Sequence, residues 1–237
     1  MFPQDYYIPA GTTNEILMYV PIQISETNDD QICILANNES FSDLDGNNLR
    51  VDLDEESCIS IDDICLDLGA NRGYTSLIMW LRGAKFIYSL EPNIKAFELL
   101  RANLKGIKNI SIFDFAISSK TEKQNLYLHK SVKNISDFDK ILEFSQASSL
   151  MANKKNIGSC FYEVQAITLE DLYSKLPHKP SIIKCDIEGG EYMIYEQFVN
   201  LARNKEVKKI FVECHANKYP QYKEIHDLFI KLIRENN

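Results

Sequence analysis

The sequence predicts an α/β protein whose core is a doubly wound, mostly parallel sheet. From residue 64 onward, short apolar runs alternate with segments whose apolar residues recur at helical spacing. The first run ends at Gly69 and a helical segment follows Gly73, so the chain reads strand, glycine turn, helix. In such sheets, ligands bind at the carboxyl ends of the strands. The functional site is therefore expected at that edge.

A β-rich appendage is predicted for residues 1–60. Residues 16–24 and 31–35 are apolar enough for strands, with polar loops between and after them. The loop that begins at Asp43 lacks the ligand spacing and the terminal Glu of an EF-hand calcium loop. We expect this appendage to pack on the main domain, residues 61–237, or on a second subunit in a homodimer.

Strands and helices alternate through the main domain. Asn93 is a good N-cap, and Thr168 stands at capping-box spacing from Asp171. Predicted strands cover residues 64–68, 86–90, 110–116, 181–186 and 209–214, and predicted helices cover about 73–82, 93–104, 168–173, 191–200 and the segment after Pro220. This order predicts a parallel sheet covered by helices.

A long insertion interrupts the alternation at about residues 120–165. Residues 124–129 and 161–167 resemble strands, residues 137–144 resemble a short helix, and a polar Gln-Ala-Ser-Ser run begins at Gln146. Long connections inside a domain are commonly functional. The insertion is therefore predicted to cover the substrate.

The turn from Gly69 to Gly73 predicts a nucleoside site that differs from the usual dinucleotide loop. That loop is Gly-x-Gly-x-x-Gly, and here Asn71 stands in the place of its second glycine. Asp67 precedes the turn, where a carboxylate repels a pyrophosphate but suits a cationic ligand. Glu91, 22 residues after Gly69, is spaced to hold ribose hydroxyls. The simpler alternative is a tight turn and an unrelated surface acid.

A second group of polar residues follows the last two predicted strands. Asp186 and Glu188 come after one strand, and Glu213 and His215 come at the end of the other. Carboxylates and an imidazole at one sheet edge suit a divalent cation or general-base chemistry. Alternatively, Glu188 only caps the next helix and His215 is a solvated loop residue.

Several segments together resemble the FkbM-type methyltransferases in order and spacing over about residues 63–215. They are Asp67-Leu-Gly-Ala-Asn-Arg-Gly-Tyr-Thr, Leu90-Glu-Pro-Asn, Ala116-Ile-Ser, Ser148-Ser, Thr168-Leu-Glu-Asp-Leu, Lys184-Cys-Asp-Ile-Glu-Gly-Gly-Glu and Val212-Glu-Cys-His. The resemblance implies a Rossmann-like, class I methyltransferase fold. It also implies S-adenosylmethionine as methyl donor and a hydroxyl of a sugar or other small molecule as acceptor.

The resemblance also implies roles for particular residues. Catalytic roles fall to Asp186, Glu188 and His215, which would face the acceptor. Cofactor-binding roles fall to Asp67, Gly69, Ala70, Asn71, Gly73, Tyr74, Glu91, Pro92, Asp114, Phe115, Ala116 and Asp186. Asp186, Glu188 and Glu213 are the candidate ligands of Mg²⁺ or Mn²⁺. The C-terminal strand hairpin of class I methyltransferases is missing before Asn237, so the last strand is expected at an edge.

Composition limits the alternatives. The net charge of −8 and the absence of a basic run argue against nucleic acid as a partner. No stretch of eighteen apolar residues predicts a membrane span, the first residues do not read as a signal peptide, and no Cys-x-x-Cys pair occurs among six cysteines, so we expect a cytoplasmic protein. The rival hypotheses are a nicotinamide-dependent oxidoreductase, a non-catalytic binding protein and an amine or protein methyltransferase.

Overall fold

The computed structural model describes residues 22–26, 32–36, 59–152, 156–204 and 206–213. The chain divides into two compact units, Met1–Cys58 and Ile59–Asn237. In the first unit, strands β1 (Ile22–Glu26) and β2 (Ile32–Ala36) pair antiparallel. The strand predicted at 16–24 overlaps β1 at residues 22–24, and its earlier part lies outside the described residues.

A five-stranded parallel sheet forms the centre of the second unit. Its strands are β3 (Ile64–Leu68), β4 (Phe86–Leu90), β5 (Ile110–Phe113), β9 (Ile182–Cys185) and β10 (Lys209–Val212). The order across the sheet is β10-β9-β3-β4-β5. Because β4 and β9 flank β3 on opposite sides, the strand order reverses at β3, and a crevice opens there. The predicted α/β fold with a mostly parallel sheet is confirmed.

Helices cover both faces of this sheet. They are α1 (Tyr74–Leu81), α2 (Ile94–Asn103), α4 (Leu169–Lys175) and α5 (Tyr195–Arg203). Side chains alternate along β3, so Leu66 and Leu68 pack with α4 and α5 while Cys65 packs with Met79 of α1. Burial on both faces explains why the strands read as nearly continuous apolar runs. Among the described helices, none combines the length and the apolar character needed to cross a bilayer.

The insertion and the residues that flank it fold into a second, three-stranded sheet. It contains β6 (Ala116–Ile117), β7 (Lys123–His129) and β8 (Ile157–Ile167) in the order β6-β8-β7, with β6 parallel and β7 antiparallel to β8. A short helix, α3 (Phe138–Glu143), and a 3₁₀ turn (Ser145–Ala147) connect β7 to β8. Asp137 caps α3 by accepting a hydrogen bond from the backbone N–H of Lys140.

Two predicted elements are each divided into two in the structure. The single strand predicted at 110–116 is two strands in different sheets, because the chain leaves the parallel sheet after Phe113 and Asp114 is exposed. The single helix predicted at 191–200 is a 3₁₀ turn (Gly190–Met193) followed by α5. The break falls at Ile194, which is fully buried in the core. The helix predicted after Pro220 lies outside the described residues.

Candidate active site at the switch point

The glycine turn packs directly against the end of β9. Gly69 has φ +75°, and a Cβ added to it would lie 1.8 Å from the carbonyl oxygen of Asp186. The N–H groups of Gly69 and Ala70 both donate to the carbonyl of Leu90, at 3.1 and 2.9 Å. Only glycine permits both the positive φ and this contact. The turn therefore lies between the ends of β4 and β9, at the crevice.

Glu91 holds the turn from the side of β4. Its Oε2 accepts the N–H of Asn71 at 2.8 Å, and its Oε1 accepts the N–H of Asn93 at 2.7 Å. Asn71 has φ +48°, so this bond supports a left-handed residue within the turn. Burial raises the pKa of Glu91 to about 7, and the two backbone N–H groups and Lys184 only partly oppose that effect.

One partly buried lysine joins two of the predicted site carboxylates. The ammonium of Lys184 lies 3.4 Å from Oδ1 of Asp67 and 3.8 Å from Oδ2 of Asp186, and it donates to the carbonyl of Gly69 at 3.2 Å. Burial alone would lower the pKa of Lys184, but the charges of Asp67 and Asp186 outweigh burial and raise it. Lys184 therefore stays protonated and neutralises one of the two carboxylates.

Asp67 joins β3, α1 and β4 beneath the turn through buried hydrogen bonds. Its side chain is fully buried, and Oδ2 accepts the hydroxyl of Ser76 at 2.6 Å. Ser76 in turn shares a 2.7 Å hydrogen bond with Ser89 of β4. Among the described residues, the cation beside Asp67 is Lys184, and a contact of Asp67 with a cationic ligand stays a prediction. Among the described residues, Oδ1 of Asp67 accepts no hydrogen bond.

The remaining predicted cofactor residues lie along the same edge. Tyr74 begins α1 after Gly73, which has φ +93°, and burial raises the pKa of Tyr74. Pro92 is half-buried behind Glu91. At the end of β5, Asp114 is exposed, Phe115 stacks on Phe113 with ring centroids 5.5 Å apart, and Ala116 is buried at the start of β6.

The predicted acceptor-side residues follow β9 and β10. Asp186 is half-buried, and Glu188 has the unusual φ of +56°. Glu213 is exposed, and its N–H donates to the carbonyl of Cys185 at 2.8 Å, while His215 lies outside the described residues. Within the described part of the chain, no three Asp, Glu, His or Cys side chains are grouped to hold a metal ion, Asp186, Glu188 and Glu213 included.

The sequence motifs include Lys184 and Ser148, but the sequence predicts no role for Lys184 or for the serines of the insertion. Lys184 is paired with Asp67 in the register of β9 and β3 and lies two residues before Asp186, so its position next to both acids follows from the strand order. Ser145 donates to the side-chain oxygen of Asn71 at 3.3 Å, and Asn93 donates to Ser148 at 2.9 Å. The polar run that begins at Gln146 is evident in the sequence, but the residues with which its serines form hydrogen bonds cannot be predicted from it.

The fold and this edge together define an α/β protein with a ligand crevice at its topological switch point. A family model described as "Methyltransferase FkbM domain" matches residues 67–237. The chain therefore belongs to the FkbM methyltransferase family, and the resemblance seen in the sequence is confirmed. No curated protein matches the chain.

Among solved structures, the chain is similar to the crystal structure of Methyltransferase FkbM from Methylobacillus flagellatus KT. The two are 16% identical, the TM-score is 0.45, and the similarity covers 74% of this chain. It covers 38% of that protein's chain, so the present chain spans well under half of its relative's length.

Proposed function

We propose that the protein is an S-adenosylmethionine-dependent O-methyltransferase that acts on a hydroxyl of a saccharide or other small molecule. The observation that carries this proposal is the hydrogen bond from Asn71 N–H to Glu91 at 2.8 Å. It joins the glycine turn after β3 to the acid after β4, the two features that a ribose and an amino-acid tail would span. Membership in a methyltransferase family supports the same function.

The carboxylates at this edge suit a cationic nucleoside. Each carboxylate oxygen of Glu91 accepts one backbone N–H, and each has lone pairs left for a ribose hydroxyl. Asp67 and Asp186 carry two negative charges against the one positive charge of Lys184. The resulting net negative charge favours a sulfonium and disfavours a pyrophosphate.

The predicted cofactor residues divide along this edge. The backbone from Gly69 to Gly73 would border the methionine part, Glu91 would hold the ribose, and residues 114–116 would border the adenine. The cofactor, when bound, supplies the methyl group. The residues of the chain orient the acceptor oxygen toward that group, and such alignment contributes roughly 7–11 kcal/mol to lowering the barrier.

The acceptor hydroxyl needs a base. Transfer would form the O–CH₃ bond as the S–CH₃ bond of the donor breaks and leaves S-adenosylhomocysteine. The hydroxyl proton would pass to a carboxylate of Asp186 or Glu188, or to the imidazole of His215. We favour this route over activation by Mg²⁺ or Mn²⁺, because the described residues offer no grouped set of metal ligands. Turnover that is lost with EDTA and restored by Mg²⁺ would reverse that preference.

Calorimetry tests the donor. S-adenosylhomocysteine is expected to bind the wild-type chain and NAD is not. Glu91→Gln should weaken the binding, and the matched control Glu98→Gln, a change at an exposed acid on α2, should not. Binding of NAD but not of S-adenosylhomocysteine would instead support the oxidoreductase hypothesis.

Transfer of a labelled methyl group tests the acceptor. A panel should contain nucleotide sugars, glycans and phenolic hydroxyl compounds in one arm and amines and peptides in the other. Label on a hydroxyl compound supports the proposal. Label on an amine or peptide alone would make the protein an N-methyltransferase, with the acidic edge gripping a cationic acceptor.

A further inference from the structure

The insertion contacts the candidate site through three serines in the segment 145–149. Ser145 donates to Asn71 in the turn after β3, Ser148 accepts from Asn93 in the loop after β4, and Ser149 donates to the carbonyl of Glu188 after β9. Each of the three loops at the switch point therefore forms a hydrogen bond with a different serine of the insertion.

Ser149 is the most firmly held of the three. It is 1% exposed, and its backbone exchanges two hydrogen bonds with Tyr127 of β7, at 2.8 and 3.0 Å. Its hydroxyl accepts the N–H of Met151 at 3.0 Å and donates to the carbonyl of Glu188 at 2.8 Å. A bond from such a fixed hydroxyl transmits the position of the insertion sheet to the loop after β9.

Glu188 needs external support. Its φ of +56° is a left-handed conformation that residues with a side chain rarely adopt. Gly189, next in the chain, also has a positive φ, and its N–H donates to Glu191 at 2.8 Å. The bond from Ser149 is one of the contacts that hold this strained stretch in place.

Ser148 supports the opposite side of the crevice. Its partner Asn93 is fully buried, caps α2 by accepting the N–H groups of Lys95 and Ala96, and donates its own N–H to Glu91. A shift in the position of Asn93 would therefore move Glu91, on the side of the crevice next to β4.

We propose that Ser148 and Ser149 are positioning residues that act on opposite sides of the crevice. Ser148 sets the donor side through Asn93 and Glu91, and Ser149 sets the acceptor side through the backbone of Glu188. This assignment rests on the proposed function, because it takes the side of β4 as the donor side and the side of β9 as the acceptor side. The insertion thus sets the distance between two reactants, in addition to covering them.

The two alanine variants test this inference, and each is the control for the other. Ser148→Ala should raise the dissociation constant of S-adenosylhomocysteine roughly threefold to tenfold, as expected for one lost hydrogen bond. Ser149→Ala should leave that constant unchanged and lower kcat or raise the KM of the acceptor by a similar factor. Ser136→Ala, at an exposed serine of the insertion, should change neither.

Amide hydrogen exchange provides a readout that needs no turnover. Ser149→Ala should speed exchange at Gly189 and Gly190, and Ser148→Ala should speed exchange at Lys95 and Ala96. If both variants alter donor binding alike, or Ser149→Ala leaves exchange at Gly189 and Gly190 unchanged, the inference is wrong. If the wild-type chain binds no S-adenosylhomocysteine, the proposed function fails, and the exchange pattern still decides whether the serines position these loops.

Discussion

The ammonium of Lys184 lies 3.4 Å from the carboxylate of Asp67, whose side chain is fully buried. The two residues are paired in the parallel register of β9 and β3, so the ion pair crosses the strands that border the crevice. The same ammonium lies 3.8 Å from Asp186 and reaches the carbonyl of Gly69. One cation therefore connects the carboxylate beneath the turn to Asp186, a candidate catalytic base.

Replacement of Lys184 by methionine should destabilise the protein strongly. The change would leave the buried charge of Asp67 without its cation, a loss that typically costs about 3–5 kcal/mol. Urea denaturation measures the effect. The matched control is Lys123→Met, which breaks an exposed ion pair with Glu163 and should leave stability unchanged. Equal losses in the free energy of unfolding for the two variants would show that the Lys184–Asp67 pair stabilises the protein no more than an exposed ion pair does.

Alanine should be tolerated at one left-handed glycine and rejected at another. Gly106 has φ +94° and open space around it, so Gly106→Ala should cost only backbone strain, about 1–2 kcal/mol. Gly69→Ala adds a clash with the backbone of Asp186 and should cost roughly 3 kcal/mol or more. Denaturation midpoints compare them, and similar costs would mean that the turn can move away from β9.

Glu91 should make stability fall as the pH rises. Its pKa is about 7 in the folded protein against an ordinary value of 4.5, so between these values the folded state holds a proton that the unfolded chain has released. Stability is therefore lost as the pH rises from about 4.5 to 7, by on the order of 3 kcal/mol. The free energy of unfolding should be measured at several pH values in this window for the wild type and for Glu91→Gln. The difference between the two proteins isolates the contribution of Glu91.

The glutamine variant also has a constant cost, since its amide replaces one oxygen that accepts a backbone N–H. That cost does not depend on pH, so the slope of the difference is the informative quantity. A flat difference between pH 5 and 7.5 would contradict the raised pKa. Affinity for S-adenosylhomocysteine should rise over the same range, because ribose hydroxyls donate best to the ionised carboxylate.

Asp63 should stabilise the opposite end of the sheet. It accepts hydrogen bonds from Ser60, Ser181 and Lys208, and it is almost fully buried. Burial by itself would raise its pKa, but Lys208 and the serines lower it to about 2. The stabilisation is therefore present above the ordinary value of 3.8 and is lost as the pH falls toward 2.

The variant Asp63→Asn should cost about 2 kcal/mol at neutral pH, through loss of hydrogen bonds to a charged group. Asp62→Asn, at the exposed neighbour, is the control and should have no effect. Chemical denaturation at pH 7 and pH 2.5 compares them. The deficit of Asp63→Asn should shrink at the lower pH, and a deficit that persists unchanged there would rule out the charge as its cause.

Strand positions were predictable because they depend on local pattern. The strands at 64–68 and 86–90 match the structure residue for residue, and the N-cap roles of Asn93 and Thr168 are confirmed. Each of these features follows from a few adjacent residues whose burial or hydrogen bonds are set locally. The approach of Glu91 to the glycine turn also follows, because neighbouring parallel strands end at one edge.

Longer-range features were not predictable from pattern alone. The contact of Lys184 with Asp67 depends on which strand lies beside β3, and that is set by tertiary packing. The break between the 3₁₀ turn and α5 falls at Ile194, whose complete burial depends on how the surrounding elements pack. The partners of Ser148 and Ser149 lie 55 and 39 residues away in sequence, beyond the reach of periodicity or capping rules.

The pairing of β6 with the end of β8 has a consequence for how this protein can diversify. Ala116 and Ala166 are neighbours across that ladder, so the stretch of chain between them begins and ends at nearly the same point. The length between these positions can change at small entropic expense, since each doubling of such a loop costs only about 0.6 kcal/mol. Lineages can therefore exchange or resize this excursion while the parallel sheet stays as it is.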